Sequence, residues 1–431
     1  MRHTTLIREI PLASPVRRPT GRIQSALTAS RRDGLVHRVI LGMVWATFAL
    51  SSIVFTEPAP VDAMLAGLAI LLPVAGLVAV TPALSSYLAL WSVAGACGLL
   101  AATFSRDVAG STVFTVVSLY LYVASFTLAG FVARAPARHS RLILSGWTAA
   151  AIVAAAAALL GYFDIVPGAH ELFTKFERAS GPFKDPNVFG PFLVAPILYL
   201  LHLALERPGS PSLFLLVTAA FLSLGVLLSY SRGAWINLAV AIAIYAVLAY
   251  LTAQTAAART RIISLVVAAS AAITLITVAA LQDSHIGAFL TDRASLTQSY
   301  DEGPAGRFGG QQKAVSLILE NPFGIGAGQF TSVHHTEEVH NVYLSMILNA
   351  GWLGGLTFWL MTGLTLAIGL TAIRKPSPYR GVFLVAFAAF CATAAEGIVI
   401  DIDHWRSFYI LMALIWGMAF SPAKAPEHVE P

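Results

Sequence analysis

Runs of about 16 to 22 mostly apolar residues recur along this chain, and that recurrence leaves few folds open. A helix needs roughly 20 residues to cross the hydrocarbon of a bilayer. In lipid, every backbone N–H and C=O must find its partner within the protein, so a chain built of such runs folds as a bundle of spanning helices. The runs lie at 39–55, 61–80, 83–104, 112–133, 142–163, 188–205, 213–230, 234–251, 262–281, 352–373, 381–400 and 405–420. Composition agrees: 57% of the residues are hydrophobic and 11% charged, where a water-soluble domain carries about 25% charged residues. The expected fold is an all-α polytopic membrane protein with about twelve transmembrane helices.

Orientation follows from charge, because lysine and arginine gather on the cytoplasmic side of a membrane protein. Placing the N-terminus inside puts the segments near 81, 134–141, 206–212, 252–261 and 374–380 inside as well, together with the C-terminus. These segments hold two thirds of the 27 Lys and Arg but under a quarter of the 22 acids. Both termini are therefore expected on the cytoplasmic side of the membrane, with the protein multi-pass. Residues 1–38 carry eight arginines and two acids. The stretch is too long and polar for the first region of a signal peptide. It reads as a disordered basic tail able to touch anionic membrane lipid, and 421–431 reads as a second tail. The net charge of +5 does not indicate nucleic acid, since the basic residues flank apolar runs instead of forming a face. Cys97 and Cys391 lie inside apolar runs and behave as small hydrophobes, not as a disulfide or metal framework.

Two outer segments are long. One spans about 164–187. The other, 282–351, separates transmembrane helices one to nine (39–281) from ten to twelve (352–420). Within it, Gln311–Glu320 places Ala314, Val315, Ile318 and Leu319 on one helical face. Asn321-Pro322 ends that helix and a glycine-rich turn follows. A second helix starts near His340 and leads into the tenth run. Long ordered loops of this kind usually carry function.

Several outer residues could carry chemistry. Arg232, in Ser229-Tyr230-Ser231-Arg232-Gly233, sits between two apolar runs with almost no loop. It reads either as an interface anchor or as a cation whose planar fork binds a phosphate. Arg307, in Gly306-Arg307-Phe308-Gly309-Gly310, opens a helix whose N-terminus favours an anion; the alternative is a solvated loop arginine. His340, in Val339-His340-Asn341-Val342-Tyr343, is either a structural histidine or a general base. His334, His335, Glu337 and Glu338 stand close by without the spacing of a known metal motif. Lys184 and Asn187 lie in a segment that caps the sixth run, where Lys184 could add a cation. Glu396 lies near the outer end of the eleventh run, with Asp401 and Asp403 beyond. An acid in that position is a candidate for proton coupling or for pairing with an arginine.

Four patches, in order, resemble the O-antigen ligase and polymerase superfamily of bacterial envelope proteins. They are Phe183-Lys184-Asp185-Pro186-Asn187-Val188-Phe189-Gly190; Ser231-Arg232-Gly233-Ala234; Gly306-Arg307 with Ala314 and Asn321-Pro322-Phe323-Gly324-Ile325-Gly326-Ala327-Gly328; and His340-Asn341-Val342-Tyr343-Leu344 with Gly351-Trp352-Leu353-Gly354. The resemblance covers roughly 180–375. The outer loop before the histidine is short here and carries His334 and His335 as well. The resemblance implies a GT-C-like glycosyltransferase architecture and a metal-independent, inverting enzyme with no cofactor. Its donor would be an undecaprenyl-pyrophosphate-linked glycan at the outer leaflet, with a periplasmic active site. Its acceptor would be another lipid-linked glycan, for an exopolysaccharide or O-antigen polymerase, or lipid A core, for a ligase. Other polysaccharide-assembly proteins are implied partners. Carried onto this chain, His340 would be the catalytic base. Arg232, Arg307 and Lys184 would bind pyrophosphate, with Asn187, Asn341 and Glu396 in support. The competing reading of the bundle is a twelve-helix transporter or lipid-linked glycan flippase. Such carriers usually show repeat symmetry and helices broken at the midplane, and the sequence shows no internal repeat.

Overall fold

The computed structural model describes residues 21–206, 212–282, 287–288, 303 and 306–422. Much of the expected N-terminal tail, most of 283–305 and the C-terminal tail lie outside the described residues. Helices account for most of what is described. They are α1 (Gly21–Ala49), α2 (Pro60–Val74), α3 (Pro82–Ala102), α4 (Val108–Arg134), α5 (Pro136–Tyr162), α6 (Ala169–Phe173), α7 (Pro186–Phe192), α8 (Val194–Glu206), α9 (Leu213–Leu228), α10 (Arg232–Thr252) and α11 (Ala256–Gln282). Beyond them come α12 (Arg307–Glu320), α13 (Val342–Ile373), α14 (Arg380–Glu396) and α15 (Arg406–Ala419).

Each of the twelve apolar runs falls largely on helix, and six helical stretches among the described residues are long and apolar enough to cross a membrane. α1 begins at Gly21, inside the stretch read as tail. The sixth run is divided at Leu193 into α7 and α8, where Pro191 and Pro196 each remove a backbone donor. Helix starts follow the local chemistry. Asp107 accepts from Gly110 N at the start of α4, and Asp185 from Asn187 N at the start of α7, each satisfying a donor that the helix cannot. Large apolar side chains such as Val74, Ile70 and Phe214 stand 70–81% exposed, as a bundle solvated by lipid permits.

Inside, an aromatic cluster locks α3, α4, α13 and α15 together. Trp91 stacks on Tyr122 at 4.3 Å and meets Phe358 and Tyr409 edge-on, arrangements favoured by the ring quadrupole. Arg406 at the start of α15 grips Asp62 of α2 with two bonds of 2.6 Å. α10 packs along α14, and Asn237 donates to Glu396 Oε2 across that contact at 2.6 Å.

The two segments expected on the outer side are shaped by backbone geometry. In 164–187, strands β1 (Thr174–Lys175) and β2 (Arg178–Ala179) form a hairpin, with Lys175 opposite Arg178. Its two turn residues, Phe176 and Glu177, both have positive φ, as the twist of a two-residue hairpin requires. In the second loop, α12 is helical as expected, but its buried face differs. Ala314, Leu317 and Ile318 pack against Ile325, Phe330, Val339 and Leu348, while Val315 and Leu319 are exposed. The helix turns toward the glycine-rich segment that follows it, and this selects the 314–317–318 stripe.

That segment explains the glycines. Gly324 (φ +82°) lies against Gly351 (φ +72°), which kinks α13 near its start. There Trp352 N donates to Pro322 O at 2.9 Å, Ile325 N to Leu348 O at 2.8 Å, and Trp352 Nε1 to Ile318 O at 2.8 Å. A Cβ on Gly351 would come within 2.7 Å of Pro322 O. Gly351→Ala is therefore expected to lower the thermal unfolding temperature of the detergent-solubilised protein. A backbone at φ +72°, ψ 177° is essentially reserved for glycine and costs roughly 1–3 kcal/mol for a residue with a Cβ, and the clash adds to it. An unchanged melting temperature would refute this account of the kink.

Candidate functional site

Two of the helices that begin with an arginine, α10 and α12, begin at one cavity. Arg232 is the first residue of α10, whose cap, Ser231, accepts from Ala234 N at 3.3 Å. Arg307 is the first residue of α12. A helix N-terminus carries a partial positive charge and unpaired N–H groups, so each arginine adds a full charge where the backbone already favours an anion. Both line a cavity of about 740 Å³.

A third arginine, Arg178, lines the same cavity and was not singled out from the sequence. The hairpin delivers it to a site where it is only 7% exposed. Its Nε donates to Ser229 O at 2.7 Å and its Nη2 to Asn187 Oδ1 at 2.7 Å. One guanidinium thus ties the first outer segment to the start of α7 and to the turn before Arg232. A lysine, with a single ammonium, cannot donate in that fixed fork. The turn is strained: Tyr230 has φ +46° and its hydroxyl meets that of Tyr162 at 2.7 Å. Sequence held one signal for Arg178, an arginine on the outer side against the charge bias.

His340 also lines the cavity. It too has positive φ, +51°. Its N–H donates to Asp401 Oδ2 at 3.0 Å, and its carbonyl accepts from Gln311 Nε2 of α12 at 3.4 Å. Asp401 Oδ1 accepts from the Ser345 hydroxyl at 2.5 Å. Burial, followed by the charge of Asp403, pushes the Asp401 carboxyl up to about 7. Non-glycine residues at positive φ are uncommon and persist where surrounding structure over-determines them. Tyr230 and His340, both in that conformation, line this cavity.

Glu396 completes the wall. It is 6% exposed, and Oε1 has no hydrogen-bond partner among the described residues. Gly233 leaves it room: a Cβ there would lie 2.6 Å from Oε1. The cavity therefore brings together three guanidinium groups, an imidazole and a carboxylate with an open acceptor. Such a set can hold a diphosphate and take a proton from a hydroxyl beside it.

Arg232, Arg307, His340, Asn187 and Glu396 are thus brought together, and two expected residues are not. Lys184 pairs with Glu57 at 3.2 Å, both largely exposed, and lines a neighbouring cavity of about 200 Å³. Asn341 does not line the site; its Oδ1 caps α13 by accepting from Tyr343 N and Leu344 N. His334 and His335 are also outside the cavity lining, and His335 stacks on Phe330.

Residues 217–359 match the protein-family model described as O-antigen ligase. The matched segment contains Arg232, Arg307 and His340, while Arg178, Asn187 and Glu396 fall outside it. No curated protein matched the chain. Over this third of its length, the chain is similar to the O-antigen ligase family of membrane proteins.

Proposed function

We propose that the protein transfers or polymerises glycan from an undecaprenyl-pyrophosphate donor at the outer leaflet of the bacterial inner membrane, as an exopolysaccharide or O-antigen polymerase or an O-antigen ligase. The observation that carries this reading is the meeting of Arg178, Arg232, Arg307, His340 and Glu396 in one cavity. The charge bias of the loops supports an extracytoplasmic position for that cavity.

The chemistry is a single displacement. The acceptor hydroxyl oxygen attacks the anomeric carbon while the bond from that carbon to the diphosphate oxygen breaks. The electron pair leaves with the diphosphate, and the hydroxyl proton passes to His340. Attack opposite the leaving group inverts the anomeric configuration. Charge growing on the diphosphate is met by Arg232 and Arg307 at two helix N-termini, with Arg178 behind them. Donors fixed in advance need no reorganisation as the reaction proceeds. Glu396 Oε1 is placed to accept a hydrogen bond from a sugar hydroxyl.

His340→Ala should lower glycan transfer on the order of 10²–10⁴-fold while membrane insertion stays normal, measured as surface polysaccharide in cells and as transfer in detergent. Normal polysaccharide from that variant removes the base assignment. Arg232→Lys should lose about 10²–10³ in rate, because a point charge cannot replace a two-pronged donor. Wild-type rates with lysine would reduce Arg232 to an anchor. Transfer should also survive a chelator such as EDTA, since guanidinium groups supply the charge; loss of activity restored by added magnesium would contradict this.

A further inference from the structure

We propose that Asp401 is the positioning residue of this site: its carboxyl holds the His340 backbone in the left-handed conformation that presents the histidine to the cavity. The inference rests on His340 as proton acceptor in the proposed transfer.

A backbone in that conformation costs of order 1–3 kcal/mol and must be held from outside. His340 is held on both sides. Asp401 Oδ2 takes its N–H, and Gln311 of α12 reaches its carbonyl. Asp401 is in turn tied to α13 through Ser345, a 5% exposed residue in the first turns of that helix. Beside this, Val342 N donates to Gly397 O at 2.9 Å, so the segment after α14 and the start of α13 are clamped twice. The carboxyl lies 61 residues from the N–H that it receives, and no local turn would create this contact.

Asp401 could instead be read as the base. Its hydrogen bonding argues against that. Both oxygens are already engaged by the protein, at His340 N and at Ser345 Oγ, so neither is left for a substrate hydroxyl. Glu396 is the contrasting case, with Oε1 unoccupied. The task assigned to Asp401 is geometric and needs no charge. Burial and the neighbouring acids Asp403 and Glu338 favour the neutral form of Asp401. A neutral carboxyl still accepts from His340 N with its carbonyl oxygen and donates to Ser345 Oγ with its hydroxyl. An asparagine offers the same pair, a carbonyl to accept and an amide to donate. Alanine offers neither and leaves a buried N–H unpaired.

The test is hydrogen–deuterium exchange on the full-length protein in lipid nanodiscs, followed over the peptide 336–346, together with transfer kinetics. Asp401→Ala should speed exchange in that peptide on the order of tenfold or more and lower kcat by roughly 100-fold, the scale of an ångström-level misplacement, with donor KM little changed. Asp401→Asn should recover most of both losses. Unchanged exchange in the alanine variant overturns the proposal. So does an asparagine variant as inactive as alanine, since the carboxylate would then be doing chemistry. Should Asp401→Ala fail to fold, Ser345→Ala frees one oxygen only and takes its place: exchange must still quicken, and wild-type exchange overturns the proposal. Full transfer by His340→Ala would sink the enzyme reading by itself, while the exchange rate would still decide separately whether Asp401 holds the backbone.

Discussion

A buried guanidinium is costly unless its donors are used, and Arg178 sits under that constraint. An arginine at the edge of an apolar bundle has no bulk water to complete its hydrogen bonding. Here the chain itself supplies acceptors, Ser229 O from the turn before α10 and Asn187 Oδ1 from the start of α7. Those two acceptors belong to segments that carry other parts of the site. The same bonds that satisfy Arg178 therefore fix where Arg232 begins its helix and where the sixth apolar run starts. An anion entering the cavity meets cations whose positions have been set by backbone contacts. That is the condition under which electrostatic stabilisation is strongest.

The other half of the site depends on close backbone approach. Gly324 and Gly351 allow the segment after α12 to lie on the kink of α13, and the Trp352 indole anchors the end of α12 through Ile318 O. With α12 seated in this way, Arg307 at its first residue and His340 just before α13 belong to one packed unit. Gln311 makes the link direct by donating to His340 O. These glycines thus help to set the spacing between Arg307 and His340.

Much of this was legible in sequence because the strongest signals are one-dimensional. The apolar runs are defined by length and composition, and every one of them falls largely on helix. Arg232, Arg307 and His340 stood out as polar groups at places where a lipid-embedded chain gives them reason to be functional. What such signals leave out is tertiary. The hairpin that buries Arg178 has two-residue strands and a Phe176-Glu177 turn, without the Asn-Gly or Asp-Gly that marks such turns. The buried stripe of α12 turned on which neighbour lay beside it, and so Leu317 is inside and Val315 outside. Lys184 looked like one more cation, yet its partner Glu57 is distant in sequence and draws it to another surface. Asn341, next to the histidine, proves to be a helix cap, a role its residue type fits equally well.

Two of the cavity carboxylates, Asp401 and Glu396, divide the remaining work by their hydrogen bonding. Both line the cavity, and charge alone does not separate them. Asp401 has its two oxygens committed to the protein, one to His340 N and one to Ser345. Glu396 has one oxygen committed, to Asn237, and one open beneath Gly233. A committed carboxylate can hold structure but has nothing left for a substrate. A half-committed one is held in place by its first bond and keeps the second acceptor for a ligand. In the proposed transfer, the cavity would offer an incoming hydroxyl a histidine whose N–H is held by Asp401 and an open carboxylate oxygen, with arginines in the same lining suited to a leaving diphosphate. Exchanging the positions of the two acids would leave its net charge unchanged and would remove both functions.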